Sequence, residues 1–176
     1  LKIKSTKPNI IIFGGSVLLF PQPVNELAKV AKRMGAIIMY DASHVAGLIA
    51  GGHFQKIDPD YVDILMFSTC KTVPGPQSAV ICAGNDYKES IQKAIFPTLT
   101  SGHHLQESVG AILALLELDA FGEEYASNTI INAKKIGEVL SEVGLDVLFR
   151  EKHFTESHTL LVDCSNLGGG AKVEAD

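Results

Sequence analysis

The stretch from Asn9 to Asp41 constrains the fold more than any other part of the chain. "NIIIFGG" (9–15) is an apolar run closed by glycines and reads as a buried strand. In "PVNELAKVAKRMG", Val24, Leu27, Ala28, Val30, Ala31 and Met34 recur at helical spacing, and Gly35 supplies a stop. "AIIMYD" is a second apolar run. Strand, helix and strand within about thirty residues make a βαβ unit. Such a crossover makes the two strands parallel.

"YVDILMFS" then reads as a third buried strand and "SAVICAG" as a fourth. "NDYKESIQKAI" has the pattern of a short amphipathic helix capped by Asn85 or Asp86. From Leu105 to about Val143 the pattern is helical, with a break expected at "FGEEYA". "VGAILALLEL" from Val109 is too short to span a bilayer and reads as a buried helix face. Glu123, Glu124, Lys134, Lys135 and Glu138 mark the solvated side. "GLDVLF" and "HTLLVDCS" read as strands of a different unit, because the long helix separates them from the first sheet. The fold class is α/β, with a second subdomain from near residue 145.

The 176 residues amount to one domain or part of a larger one, and 46% hydrophobic residues suffice for a core. A net charge of -5 gives no support for a nucleic-acid or acidic-membrane partner. Cys70, Cys82 and Cys164 lie too far apart for a zinc pattern or a disulfide framework, which points to a reducing cytoplasm. "LKIKSTKPNIIIFGG" has no secretory character. The chain begins at Leu1 and stops at "GGGAKVEAD", a glycine-rich turn followed by a helix opening. Both ends are those expected of a piece of a longer protein.

Ligands of open parallel sheets bind outside the carboxyl ends of the strands. The first strand ends in Gly14, Gly15 and Ser16, the second in Asp41 with His44 just beyond, and the third in Ser68, Thr69, Cys70 and Lys71. Taken singly, Ser16 reads as a turn residue, Asp41 as a cap for "ASHVAGLIAGG", His44 as structural and Lys71 as snorkelling to water. Topology brings them together. A lysine amine in a weakly solvated pocket sheds its proton more readily and forms Schiff bases. A carboxylate facing a pyridinium nitrogen keeps that nitrogen protonated. Lysine and aspartate together are the pair that pyridoxal-phosphate chemistry needs.

The quoted segments resemble serine hydroxymethyltransferase, particularly archaeal members, within fold type I of the pyridoxal-phosphate enzymes. "KPNIIIFGGSVLLFP" resembles the family's strand and serine, and "GAIIMYDASHVAGLIAGG" its Asp-x-x-His segment. "STCKTVPGPQSAVI" resembles its lysine segment, and "FPTLTSGHHLQESVGAILALLE" the loop and helix that follow. The resemblance covers nearly the whole chain but only the middle of the family's protein. It implies that residues 1–120 form the C-terminal half of a large cofactor-binding domain with a mostly parallel sheet. Residues 121–145 would be a connecting helix, and 146–176 the start of a small C-terminal domain.

The resemblance also implies roles. Lys71 would hold pyridoxal 5'-phosphate covalently, and Asp41 would pair with its ring nitrogen. His44 would lie near its phenolic oxygen and the substrate carboxylate. Ser16 would contact the cofactor, and Ser68 would stand beside the lysine. Ser101 and Gly102 would reach the cofactor phosphate of a neighbouring subunit. The implied reaction moves the serine side-chain carbon to tetrahydrofolate or tetrahydromethanopterin, leaving glycine, in a homodimer or larger assembly. Catalytic and phosphate-binding groups that the family takes from an N-terminal part, and a carboxylate-binding arginine from its C-terminal domain, have no counterpart here. Arg33 and Arg150 are the only arginines, and neither stands in a matching position. These residues alone are expected to turn over little.

The chain departs from the family pattern at three places. Cys70 replaces the usual histidine, Ser78-Ala79 a glycine pair, and Ser43 an alanine that packs on the cofactor ring. Cys70 is expected to pack in the histidine's place, although its neighbour Lys71 could make it a reactive thiol. His103, His104 and Glu107 resemble metal ligands only superficially, being explained as a loop, and His153 and His158 read as solvated. "GGSVLLFP" lacks the Gly-Lys-Ser/Thr ending of a P-loop, and "LGGGA" at Leu167 reads as a turn. Two other readings stand beside the transferase. One is a pyridoxal-phosphate aldolase, or another fold type I transferase or lyase. The other is a catalytically silent module that needs a partner subunit.

Overall fold

The computed structural model describes residues 2–102 and 104–166. A short helix α1 (Lys2–Thr6) precedes the βαβ unit formed by β1 (Ile10–Gly14), α2 (Val24–Lys32) and β2 (Ile37–Asp41). Next come α3 (Ala46–Ala50), β3 (Ile64–Cys70) and β4 (Pro74–Ala83). A single 3₁₀ turn (Asn85–Tyr87) leads into α4 (Lys88–Lys93), and α5 (Leu105–Glu142) follows. The last two elements are the short strands β5 (Asp146–Val147) and β6 (Val162–Asp163), paired antiparallel.

The main sheet has the order β1-β2-β3-β4. The first three strands are parallel, with Gly14 opposite Asp41 and Asp41 opposite Met66. This register brings the ends of β1 and β2 level, while β3 runs on past Met66 to Cys70. β4 runs antiparallel to β3, and Cys70 pairs with Pro74. Lys71, Thr72 and Val73 therefore form the hairpin tip, and the proline-glycine segment after them lies within β4 rather than in the turn. On one side of β2, Ile38 and Tyr40 are wholly buried in the core with Val24, Ala28 and Ala31 of α2. Asp63 fastens α2 to the sheet: it accepts the Ile38 amide at 2.8 Å and pairs with Lys32 at 3.0 Å.

Several expectations need correction. β1 and β4 are the edges of the described sheet, so Ile10, Ile12 and Ile81 are exposed rather than buried. An apolar run without alternation cannot tell an edge strand from a central one. α5 is continuous through "FGEEYA" over 38 residues. Glycine costs a helix about 1 kcal/mol, yet the helix runs on through Gly122, which faces Gly51 of α3's carboxyl end; the close approach there depends on Gly51, whose Cβ would collide with the Gly122 carbonyl. The "VGAILALLEL" stretch is buried only at Ala111, Ala114 and Leu118. Leu105, Val109, Ile112, Leu113, Leu116 and Phe121 are each 57% to 68% exposed.

Neither Asn85 nor Asp86 caps a helix; Gly84 precedes the 3₁₀ turn, and no side chain caps either segment. Asp41 does not cap α3 but closes a local turn by accepting the Ser43 amide at 2.9 Å. The glycine-rich end, including "LGGGA" and "GGGAKVEAD", lies outside the described residues, as does His103. Among the described residues no helix is long and apolar enough to cross a membrane, and no three or more His, Cys, Asp or Glu side chains are grouped to hold a metal ion.

Candidate active site

Two of the strand-end side chains meet. Lys71 Nζ lies 3.2 Å from His44 Nε2, joining the β3–β4 hairpin tip to the turn after β2. Thr72 reinforces this join: its hydroxyl donates to the His44 carbonyl at 3.0 Å and accepts the Gly47 amide at 3.1 Å. Thr69, wholly buried, holds the base of the hairpin by donating to the Pro76 carbonyl at 2.6 Å. The Ala42 amide donates to the Met66 carbonyl at 2.8 Å, so β2 and β3 stay paired up to the site.

The loop after β1 is anchored from within. Gln22 accepts the Gly14 amide at 2.9 Å, and Gln55 accepts the Gln22 amide at 2.7 Å. Gly14 has φ of +113°, and a Cβ there would collide with the Asp41 carbonyl. Only glycine lets β1 approach the aspartate this closely. Ser16 stands exposed just beyond, and Ser68 contacts the Cys70 thiol at 3.3 Å. Cys70 is exposed, so it does not pack in place of a histidine. Lys71 is exposed too, which corrects the expectation of a weakly solvated amine.

His44 is held below the ordinary histidine range by burial first and by the Lys71 charge second, against the opposing pull of Asp41. The neutral ring is thereby favoured, and with Nε2 unprotonated it can accept a hydrogen bond from Lys71 Nζ. The Asp41 carboxylate makes no hydrogen bond besides that from Ser43 among the described residues. The donor set is thus an amine, a carboxylate with spare acceptor capacity, a neutral imidazole and exposed hydroxyls. This set suits pyridoxal phosphate: an aldehyde, a cationic ring nitrogen and a phenolic oxygen each find a complementary group.

The sequence profile of serine hydroxymethyltransferases matches residues 1–175. The chain belongs to the serine hydroxymethyltransferase family. It is 48% identical over 172 residues to the serine hydroxymethyltransferase of Methanothermobacter marburgensis, covering 98% of this chain and 41% of that protein. It is 45% identical over 175 residues to that of Methanobrevibacter smithii, covering 99% and 42%. Against that of Pyrobaculum calidifontis the figures are 43% over 175 residues, covering 98% and 41%. The chain spans about two-fifths of the length of these relatives.

Ser101 and Gly102 lie between α4 and α5. Both are exposed in the segment before α5 and make no hydrogen bond to Asp41, His44 or Lys71. Two side chains went unnoticed in the sequence, Gln22 and Thr72, and the reading of His158 needs correction. Thr72 was discoverable as the hydroxyl next to the lysine. His158 was read as solvated, yet it is half-buried and its Nδ1 is wholly buried. The signal for it was the spacing of Thr155 and Ser157, two hydroxyls one residue apart just ahead of the imidazole. His153 is exposed, as expected.

Proposed function

We propose that this chain carries the cofactor-holding part of a serine hydroxymethyltransferase, with Lys71, Asp41 and His44 as its working side chains. The observation that carries this reading is the 3.2 Å approach of Lys71 Nζ to His44 Nε2, at the end of a sheet whose neighbouring strand ends in Asp41. When bound, pyridoxal phosphate supplies an electron sink for the bond that breaks. Lys71 holds it covalently through Nζ, and Asp41 keeps the ring nitrogen protonated through its uncommitted acceptor sites. Neutral His44 accepts a hydrogen bond from Nζ at Nε2, which orients the amine toward the cofactor. Ser16 and Ser68 offer hydroxyls to the cofactor's polar oxygens, and Ser101 and Gly102 serve the phosphate of a neighbouring subunit.

The one-carbon acceptor is tetrahydrofolate or tetrahydromethanopterin, and the assembly is a cytoplasmic homodimer or larger oligomer. The apolar row on α5 supports association, because a strip of exposed Leu, Ile and Phe is costly to leave in water. Pyridoxal phosphate added to the purified protein is expected to give a visible absorption band that Lys71→Ala removes. A protein without the band, or a band that persists in Lys71→Ala, defeats the assignment. Serine cleavage measured with and without the tetrahydropterin separates the transferase from an aldolase.

A further inference from the structure

Lys71 is exposed, so packing does little to hold its flexible stem and amine in place. Where Nζ stands is set from its two ends, the backbone of the hairpin tip and the 3.2 Å bond to His44 Nε2. The next residue, Thr72, ties these ends together. Its side chain is buried. Its hydroxyl donates to the His44 carbonyl at 3.0 Å and accepts the Gly47 amide at 3.1 Å. One atom thus fastens the hairpin tip both to the residue that bears the imidazole and to the first turn of α3.

The bond to Gly47 answers a need that nothing nearer in the chain supplies. The first amides of a helix have no partner within it, and α3 has no side-chain cap of its own. The fit is also steric. A Cβ on Gly47 would collide with the Thr72 carbonyl, so α3 and the hairpin tip meet backbone to backbone. Val73, next in the tip, is buried in the core. At the other end Thr69 Oγ1 holds the Pro76 carbonyl at 2.6 Å, beside a register shift between Ser68 and Cys70. Thr69 and Thr72 pin the hairpin on either side, and Cys70 and Lys71 stand exposed between them.

We propose that Thr72 is a positioning residue of this site, and that its hydroxyl sets the reach of Lys71 by locking the hairpin tip to the His44 turn. The inference rests on the reading of Lys71 and His44 as working side chains. Both bonds of the hydroxyl go to main-chain groups, so Thr72 acts through the placing of its neighbours. Without the hydroxyl the buried Gly47 amide loses this acceptor, and parting of the tip from the turn, which admits water, is favoured. Lys71 leaves with the tip, and Nζ no longer meets Nε2.

Two readouts test this in the protein as its host makes it. The first needs no cofactor. It is the nitrogen-15 resonance of His44 Nε2, with Lys71→Ala marking its value without the amine. Thr72→Val keeps the shape and removes the hydroxyl, and should move the resonance most of the way to the Lys71→Ala value. Thr72→Ser restores the hydroxyl and should keep the wild-type value. Thr72→Ala, which also lacks the hydroxyl, should shift like the valine variant and replaces it if that variant does not fold. The second readout is the affinity for pyridoxal phosphate, followed by the Lys71-dependent absorption band. It should fall about tenfold to a hundredfold in Thr72→Val. In Thr72→Ser it should stay within about fourfold, roughly what one buried methyl contributes. A valine variant that loses stability to urea but keeps the His44 resonance makes Thr72 structural only and overturns the inference. A serine variant that shifts as far as the valine one overturns it too, as does a wild type that shares its resonance with Lys71→Ala. If the wild type shows no Lys71-dependent band, the proposed function fails, and the resonance alone then decides the role of Thr72.

Discussion

A methyl group added at Gly14 would collide with the carbonyl oxygen of Asp41, and the backbone there has φ of +113°. Gly14→Ala is therefore expected to cost about 1–3 kcal/mol from backbone strain alone, and to push Asp41 out of line with Lys71. Gly15→Ala is the control. Its Cβ would meet nothing within 4 Å, and a change within about 0.5 kcal/mol is expected. Urea denaturation of the two variants measures the difference, and equal losses would show that the close approach is not what the glycine serves. Asp41, His44 and Lys71 were legible in the sequence because their chemistry is rare at strand ends and their order along the chain is fixed. Thr72 and His158 were not, because their surroundings are brought near only by folding. Lys71 was legible in role but not in surroundings, since exposure depends on everything packed around it.

At the scale of elements, α5 is the spine. Its buried positions, Ala111, Ala114, Leu118, Gly122, Ala126, Ile130, Ala133 and Gly137, recur every three or four residues along one stripe. That stripe serves β4, then α3, then the segment carrying Phe154, whose ring lies against Gly137. The helix was legible from its length and periodicity. Its continuity was not, because Gly122 looks like a break until Gly51 is seen facing it. The pair makes an asymmetric prediction. A Cβ on Gly51 would collide with the Gly122 carbonyl, whereas a Cβ on Gly122 meets nothing closer than 3.7 Å. Gly51→Ala should therefore destabilise by roughly 1–3 kcal/mol through overpacking. Gly122→Ala should stabilise by up to about 1 kcal/mol through helix propensity. Thermal unfolding of both variants tests this, and a loss in Gly122→Ala would mean that α3 and α5 sit closer than their backbones indicate.

For the whole molecule, buried titratable groups limit stability at both ends of the pH range. The Tyr40 hydroxyl is wholly buried without a partner, and its pKa is pushed up to about 12 by burial first and by the Asp41 charge second. An unfolded tyrosine ionises near pH 10. Between these values the unfolded chain has released a proton that the native chain retains, so stability falls as pH rises. Two units correspond to roughly 2–3 kcal/mol. Tyr40→Phe should abolish this alkaline loss and leave neutral stability unchanged or slightly higher, because no hydrogen bond is given up. The acid side has the opposite sign. His44 and His158 both have folded values below the ordinary histidine value of about 6.5. Below that pH the unfolded chain binds more protons than the native one, and stability falls as pH falls through the folded values. His158→Gln should flatten the acid limb and leave the alkaline limb intact, whereas Tyr40→Phe should do the reverse. Urea midpoints across the range measure both limbs. An acid limb that His158→Gln leaves unchanged would mean that the His158 ring charges freely in the folded protein.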